Sequence, residues 1–131
     1  MALRNSKKRV LVADDDQDLL SVTKSVLEFA GFKVDTAVNG EDALKRIKKR
    51  TYDLLILDMI MPKLDGVKLF QMLKKSKKYA SIPVLFISGY PDRIELDGQL
   101  KEIGEKADGY ITKPIKTRDF IEKVKSLVGK Q

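Results

Sequence analysis

Four stretches of the sequence carry polar side chains that could do chemistry together. Asp14 to Asp16 follow one short apolar run, Asp58 ends a second, Ser88 ends a third, and Lys113 with Pro114 follows a fourth. Each has a plainer interpretation, because an aspartate before a helix is often an N-cap and a serine before glycine often belongs to a turn. Together, the carboxylates, hydroxyl and ammonium group could bind a hard metal ion and an anion.

The apolar runs that lead into these residues predict five strands. The third and fourth runs are almost continuously apolar, which is typical of strands covered on both faces. The predicted strands are 9–13, 33–37, 54–57, 84–87 and 109–112.

Amphipathic segments between the strands predict helices. The first helix is indicated by a stripe of apolar residues that stops at Gly31. The second has Asn39 as its N-cap, and the third begins at Asp65–Gly66. Two further patterns cover 96–107, which contains glycines, and 120–127, entered from Thr117. The stripe of the first helix is Leu19, Val22, Val26 and Phe29.

Five β-α units in 131 residues predict one α/β domain, a doubly wound parallel sheet with helices on both faces. In such sheets the functional crevice lies at the carboxyl ends of the strands. Asp14, Asp15 and Asp58 would then converge, and at about 5 Å each pair repels by roughly 3 kcal/mol at an effective dielectric of 20. One lysine cannot neutralise three carboxylates, whereas Mg²⁺ can, and a carboxylate beside it can attack a phosphoryl group. The residues therefore suggest an aspartyl phosphate.

Composition excludes several other kinds of chemistry. The chain has no cysteine, histidine or tryptophan. Disulfides, thiolate or histidine metal sites and Ser-His-Asp catalysis are therefore excluded. No segment has the pattern of a signal peptide or the apolar length of a membrane span, so we expect a cytoplasmic protein with no membrane partner.

The chain is basic, with a net charge of +7 from 26 basic and 19 acidic residues. Basic residues cluster at 7–9, 45–50 and 74–78. Helix C-termini and strand N-termini share the edge opposite the crevice, so we expect these clusters to gather there and complement the helix dipoles. For this reason a nucleic acid is not an expected partner.

Four motifs, in this order and at these intervals, are similar to those of response-regulator receiver domains, in particular the stand-alone, chemotaxis-regulator-like kind. The resemblance covers about residues 8–129, after a basic N-terminal arm at residues 1–7, and implies a flavodoxin-like (βα)5 sheet with strand order 2-1-3-4-5. The motifs are 10–16, 53–62 with Asp65–Gly66, 84–89 and 110–114.

The resemblance implies a role for each polar residue at the strand ends. Asp58 would be the phosphoacceptor. Asp15 and the backbone carbonyl of Ile60 would bind Mg²⁺ together with Asp58, and Asp14 would hold waters of the metal. Lys113, before a cis proline bond, would contact the phosphoryl group.

The resemblance also implies a switch. Ser88 would turn inward to bond a phosphoryl oxygen, and Tyr110 would follow it from an exposed to a buried position. Gly89 stands where the family often has alanine, which would loosen this loop. Ile60 and Tyr90 occupy positions that in this family tune water access to the acyl phosphate, and because both are bulky we expect slow self-dephosphorylation.

The implied partners are proteins. A histidine kinase or phosphotransfer protein would donate the phosphoryl group, since this chain has no histidine. The phosphorylated form would bind a target through the face built from the fourth helix, fifth strand and fifth helix. Such a receiver accepts and loses its own phosphoryl group and is not a multiple-turnover enzyme.

Two alternatives stay open at this point. The first is a haloacid-dehalogenase-like phosphatase with Asp14 as nucleophile, because Asp14 to Asp16 also fit an Asp-x-Asp pattern. Asp18 departs from that family's pattern, the chain leaves little room for a substrate cap, and Asp58 would have no role. The second is a receiver cut from a larger regulator or hybrid kinase, against which the initial Met1 weighs only mildly.

Overall fold

A computed structural model of the chain describes residues 7–59, 61, 63–88 and 106–128. Its strands are β1 (Arg9–Ala13), β2 (Lys33–Ala37), β3 (Leu54–Asp58), β4 (Val84–Ser88) and β5 (Gly109–Thr112). Its helices are α1 (Gln17–Phe29), α2 (Gly40–Lys49), α3 (Gly66–Lys74) and α4 (Thr117–Val128). Helix α4 is the fifth helix predicted from the sequence, because the fourth, predicted at 96–107, lies almost wholly outside the described residues.

The five strands form one parallel sheet in the order β2-β1-β3-β4-β5, which confirms the predicted fold and order. The predicted strands are correct to within one residue, since β3 and β4 each extend one residue further, to Asp58 and Ser88. In the register, Asp58 lies opposite Ile87, and Ser88 lies opposite Thr112. The polar residues therefore follow or end their strands at one edge of the sheet.

The sheet separates two layers of core. One cluster packs beneath α2 and α3 and includes Leu55 and Leu57. The other packs beneath α1 and α4 and includes Leu54 and Ile56. Successive side chains of a strand point to opposite faces of the sheet. Because core residues cover both faces, every position of β3 is buried, which explains its continuous apolar run. This burial on both faces fixes the central strand that ends in Asp58.

The predicted helix starts and stops are confirmed by local hydrogen bonds. The side chain of Asn39 accepts from the amide of Asp42 at 2.8 Å, and the side chain of Asp65 accepts from the amide of Lys68 at 2.8 Å. Gly31 ends α1 with φ of 104°, a backbone conformation that favours glycine. None of the helices in the described part of the chain has the length and apolar character that a membrane crossing requires.

The buried face of α1 is not the stripe indicated by the sequence. Helix α1 packs on the sheet through Leu20, Thr23 and Leu27, whereas Val22 is 59% exposed and Phe29 is 93% exposed. Val26 of the stripe is partly buried against the core, so the stripe is only partly exposed. The spacing therefore predicted the helix itself, and α1 presents part of its apolar stripe to solvent.

The edge opposite the aspartates carries basic residues, as predicted, because Arg9 begins β1, Arg50 follows α2 and Lys75 follows α3.

An ion-pair network around Asp35 also lies at this edge. Its Oδ2 accepts a 2.7 Å hydrogen bond from the hydroxyl of Tyr52 and lies 3.6 Å from Nη1 of Arg9 and 3.8 Å from Nη1 of Arg50. Burial, together with the hydrogen bond to Asp35, raises the pKa of Tyr52 well above its usual value.

Replacing Tyr52 by phenylalanine tests this network. At pH 7 we expect Tyr52→Phe to lower the free energy of unfolding by about 1–2 kcal/mol, because the hydrogen bond to a charged acceptor is lost. Folding raises the pKa of Tyr52, so its contribution is complete below the pKa of about 10 in the unfolded chain and falls as the pH rises past it. Denaturant unfolding should show a smaller difference between wild type and variant near pH 11. A difference that stays constant or grows would contradict this assignment.

Candidate functional site

The site is centred on Asp58, the last residue of the central strand β3, which is only 7% exposed. Helix α3 begins close to this strand end, where the amide of Gly66 donates to the carbonyl of Met59 at 3.1 Å. A Cβ atom on Gly66 would overlap the backbone oxygen of Asp58. Only glycine therefore permits this approach, and the contact holds the Asp58 backbone between the sheet and α3.

Two further carboxylates come from the end of β1. Asp14 is 3% exposed, and its amide donates to the carbonyl of Ala37 at 3.1 Å. Its Oδ1 accepts from the amide of Asp16 at 2.9 Å, while the side chain of Asp16 caps α1. Asp15 is exposed. Of the three adjacent aspartates, Asp16 therefore supports the start of α1, and Asp14 and Asp15 are left to contribute to a site with Asp58.

The carboxylates of Asp14, Asp15 and Asp58 meet as predicted. One oxygen from each lies within 4.8 Å of those of the other two. At this separation like charges repel strongly, and the two buried members have little water to screen them. The cluster therefore needs positive charge nearby.

Lys113 supplies part of this charge. Its Nζ lies 3.2 Å from Oδ2 of Asp14 and donates to Oδ2 of Asp58 at 3.3 Å. Partial burial lowers the pKa of Lys113, but the charges of Asp58 and Asp14, with their hydrogen bonds, outweigh this effect and raise the pKa above its ordinary value. The ammonium group therefore stays protonated. The peptide bond between Lys113 and Pro114 is cis, as the resemblance implied.

The donor set fits a hard divalent cation. Three carboxylates face one ammonium group, so the cluster keeps excess negative charge, and all of its ligand atoms are oxygen. Magnesium binds through one or two carboxylates while it keeps several waters. Because Asp15 is exposed and the other two carboxylates are buried, the cluster offers a solvent-accessible side for such an ion.

The structure describes only some of the remaining predicted site residues. Ser88 ends β4 at the same edge of the sheet, opposite Thr112. Tyr110 lies on β5 and is 37% exposed, which corresponds to the exposed one of the two positions that the resemblance implies. Ile60 and Tyr90 lie outside the described residues.

Sequence reasoning missed the role of Gly66. The pair Asp65–Gly66 indicated only a helix start, and nothing in it shows that the glycine lies against Asp58. A glycine at the first position of a helix, eight residues after a strand-ending aspartate, is the available signal.

Comparison with known proteins assigns the family. Residues 10–125 match the family model described as the response regulator receiver domain. The chain therefore belongs to the response regulator receiver family, which confirms the resemblance and favours it over the phosphatase alternative. It is a receiver domain of the kind found in two-component systems.

Three relatives illustrate the match. The chain is 35% identical over 122 residues to the alkaline phosphatase synthesis transcriptional regulatory protein PhoP of Bacillus subtilis, covering 92% of this chain and 48% of the relative. A CheY-like receiver domain protein from Methanospirillum hungatei superposes with a TM-score of 0.82 at 31% identity, covering 95% of each chain. The receiver domain of a histidine kinase from Syntrophus aciditrophicus gives 0.83 at 30% identity, covering 93% and 90%. The chain spans about half the length of the curated relatives it matches.

Charge repulsion in the cluster predicts an unusual substitution effect. In EDTA, Asp58→Asn should raise the thermal unfolding midpoint by roughly 3–5 °C, about 1 kcal/mol, because it removes one of three crowded charges. Lys113→Gln should lower the midpoint, because it removes the counterion. Glu122→Gln on α4 is the control for a general effect of lost negative charge. A lower midpoint for Asp58→Asn, or an equal gain for the control, would contradict the electrostatic account.

Proposed function

We propose that the chain is the phosphoacceptor receiver of a two-component phosphorelay and is phosphorylated in trans on Asp58. The meeting of the carboxylates of Asp14, Asp15 and Asp58 with Nζ of Lys113 is the observation that carries the proposal. A carboxylate oxygen of Asp58 attacks phosphorus, the bond from phosphorus to the donor breaks, and Lys113 balances charge on the transferred oxygens. The chain is an acceptor in this reaction and not a multiple-turnover enzyme.

The proposed cofactor is Mg²⁺. Asp15 and Asp58 would hold it together with the backbone carbonyl of Ile60, and Asp14 would hold its waters. When bound, the ion offsets the excess negative charge of the cluster and of the incoming phosphoryl group. The exposed position of Asp15 beside the two buried carboxylates supports this division of roles.

The proposed phosphodonor is a histidine kinase or a phosphotransfer protein. The chain contains no histidine, so phosphohistidine must come from another molecule. An apolar groove between α1 and the start of α4, lined by Leu19, Val22 and Phe120, also reaches Lys113. A protein seated there would have an apolar contact surface next to the acceptor, which would account for the exposure of Val22.

The proposed output is binding of a target protein. Phosphate on Asp58 would draw in the hydroxyl of Ser88, and Tyr110 would move toward the space below it. Tyr110 lines a concave region with Lys116, Asp119 and Lys123 of the β5–α4 side, which is part of the predicted output face. The other part, the fourth predicted helix, lies outside the described residues.

Domain limits and location also belong to this proposal. We place the receiver at residues 8–129, after a basic arm at 1–7, and in the cytoplasm, on the strength of the family assignment. We propose no nucleic acid as partner of the receiver itself. Curated relatives are named transcriptional regulators, and this chain covers about half of their length, so a larger regulator that contains the chain remains an alternative.

Small-molecule phosphodonors test the central step. With acetyl phosphate and Mg²⁺, intact mass spectrometry should show one added phosphoryl group, and borohydride trapping should map it to Asp58. Asp58→Asn should abolish the added mass, and omission of Mg²⁺ should strongly reduce it. Asp18→Asn, a nearby exposed aspartate outside the cluster, is the matched control. A label on Asp14 would instead support the phosphatase chemistry, and no label on any aspartate would refute the proposal.

The lifetime of the phosphoryl group tests the two tuning positions. We expect slow self-dephosphorylation, with a half-life of minutes or longer in Mg²⁺, because the family resemblance assigns Ile60 and Tyr90 to positions that tune water access and both side chains are bulky. Tyr90→Ala should shorten the half-life, since a smaller side chain at a position that tunes water access would admit more water. Release of inorganic phosphate from the purified labelled protein measures both. A wild-type half-life of seconds would refute the expectation.

A further inference from the structure

A cavity lies at the edge of the sheet opposite the aspartates. Its walls are the end of α2, the residues that lead into β3 and the segment before β4, and its volume is about 680 Å³. Ile47 and Tyr52, which line it, are buried members of the core. Small-molecule sites are typically roughly 300–1,000 Å³ and preformed. The cavity therefore has the size and the rigid base of such a site.

Positive charge dominates this cavity. Four of its lining residues, Lys48, Lys49, Arg50 and Lys78, are cationic, and none of the described lining residues is acidic. The three lysines make no ion pair with any carboxylate in the described ranges. The guanidinium of Arg50 is half exposed and lies 3.8 Å from Asp35, a carboxylate already engaged by two other side chains. The charge of the cavity is thus largely uncompensated.

The dipole of α2 does not account for this charge. The C-terminal end of a helix is equivalent to roughly half a negative elementary charge. Lys48 and Lys49 in the last turn of α2 more than offset it, and Arg50 and Lys78 add to the excess. Lys78 comes from a different part of the chain, the segment before β4. Four cations from two segments around one concavity indicate an anionic ligand.

The donors in the cavity match phosphate. Lysine ammonium groups and the hydroxyls of Thr51 and Ser81 can donate hydrogen bonds to phosphate oxygens. Because four cations line the cavity, a chain of several phosphates would balance its charge better than a single phosphate. Nζ of Lys78 lies over the ring of Tyr79, 5.5 Å from its centre, so the ammonium group covers one side of an aromatic ring that also lines the cavity. We propose that this cavity binds a small molecule with an oligophosphate chain, either a nucleoside triphosphate or inorganic tripolyphosphate.

The cavity and the aspartate cluster are separate sites. Strand β3 runs between them, and at about 3.3 Å per residue Tyr52 and Asp58 lie roughly 20 Å apart. This separation exceeds the Debye length of about 8 Å at physiological ionic strength, so the carboxylates do not repel an anion bound at the cavity. The site is independent of phosphorylation on Asp58, and its failure would leave the phosphoacceptor proposal unaffected.

Binding to paired lysine variants tests the proposal. ATP and sodium tripolyphosphate are titrated separately by calorimetry into the full chain, in EDTA without Mg²⁺ and at physiological ionic strength. Lys48→Gln/Lys78→Gln should weaken binding about tenfold or more, because it removes two donors from the cavity. Lys24→Gln/Lys125→Gln, on the opposite face of the sheet, is the control with the same net charge and should stay within about twofold of wild type. Unfolding midpoints of the ligand-free variants confirm that both pairs fold.

The outcomes separate the possible ligands. Tighter binding of ATP than of tripolyphosphate, with the difference removed by Tyr79→Leu, identifies a nucleotide, whereas equal affinities identify an inorganic phosphate chain. Equal weakening by both lysine pairs would show only diffuse attraction and would overturn the proposal. It would also be overturned if neither compound bound at millimolar concentration, or if duplex DNA bound through Lys48 and Lys78 where neither compound did.

Discussion

The crowding of three carboxylates at one edge of a parallel sheet is the constraint on which the rest of the structure depends. Asp14 and Asp58 are held buried because β1 and β3 are adjacent strands, buried at the ends that lead to these residues and aligned in register. Their mutual repulsion opposes folding, and Lys113 offsets only part of it. The core beneath both faces of the sheet keeps these charges together and leaves the cluster ready to accept a cation.

The two edges of the sheet have opposite electrostatic character. The aspartates lie where strands end and helices begin, and the basic cavity lies where α2 ends and β3 begins. This arrangement follows from the topology, because a parallel sheet with right-handed crossovers gathers all strand ends on one side. It lets a basic chain hold an acidic site, and it keeps the proposed phosphoacceptor site and the proposed anion site on opposite edges of the sheet.

The central strands β3 and β4 could be predicted from the sequence because a short, almost continuously apolar run is typical of a strand covered on both faces. The buried face of α1 could not. Leu19 and Val22 form one apolar stripe and Leu20 and Leu27 an adjacent one, so periodicity indicates a helix without showing which stripe meets the sheet. Likewise, the closeness of Gly66 to Asp58 depends on how α3 packs, which local sequence does not specify.

A crystal structure with Mn²⁺ in place of Mg²⁺ would test the central claim most directly, because anomalous scattering locates the metal without reference to function. The account predicts one strong peak bonded to carboxylate oxygens of Asp15 and Asp58, with Asp14 and Lys113 close by. A metal bound elsewhere, or an empty cluster at saturating Mn²⁺, would contradict the claim that these carboxylates form a divalent-cation site.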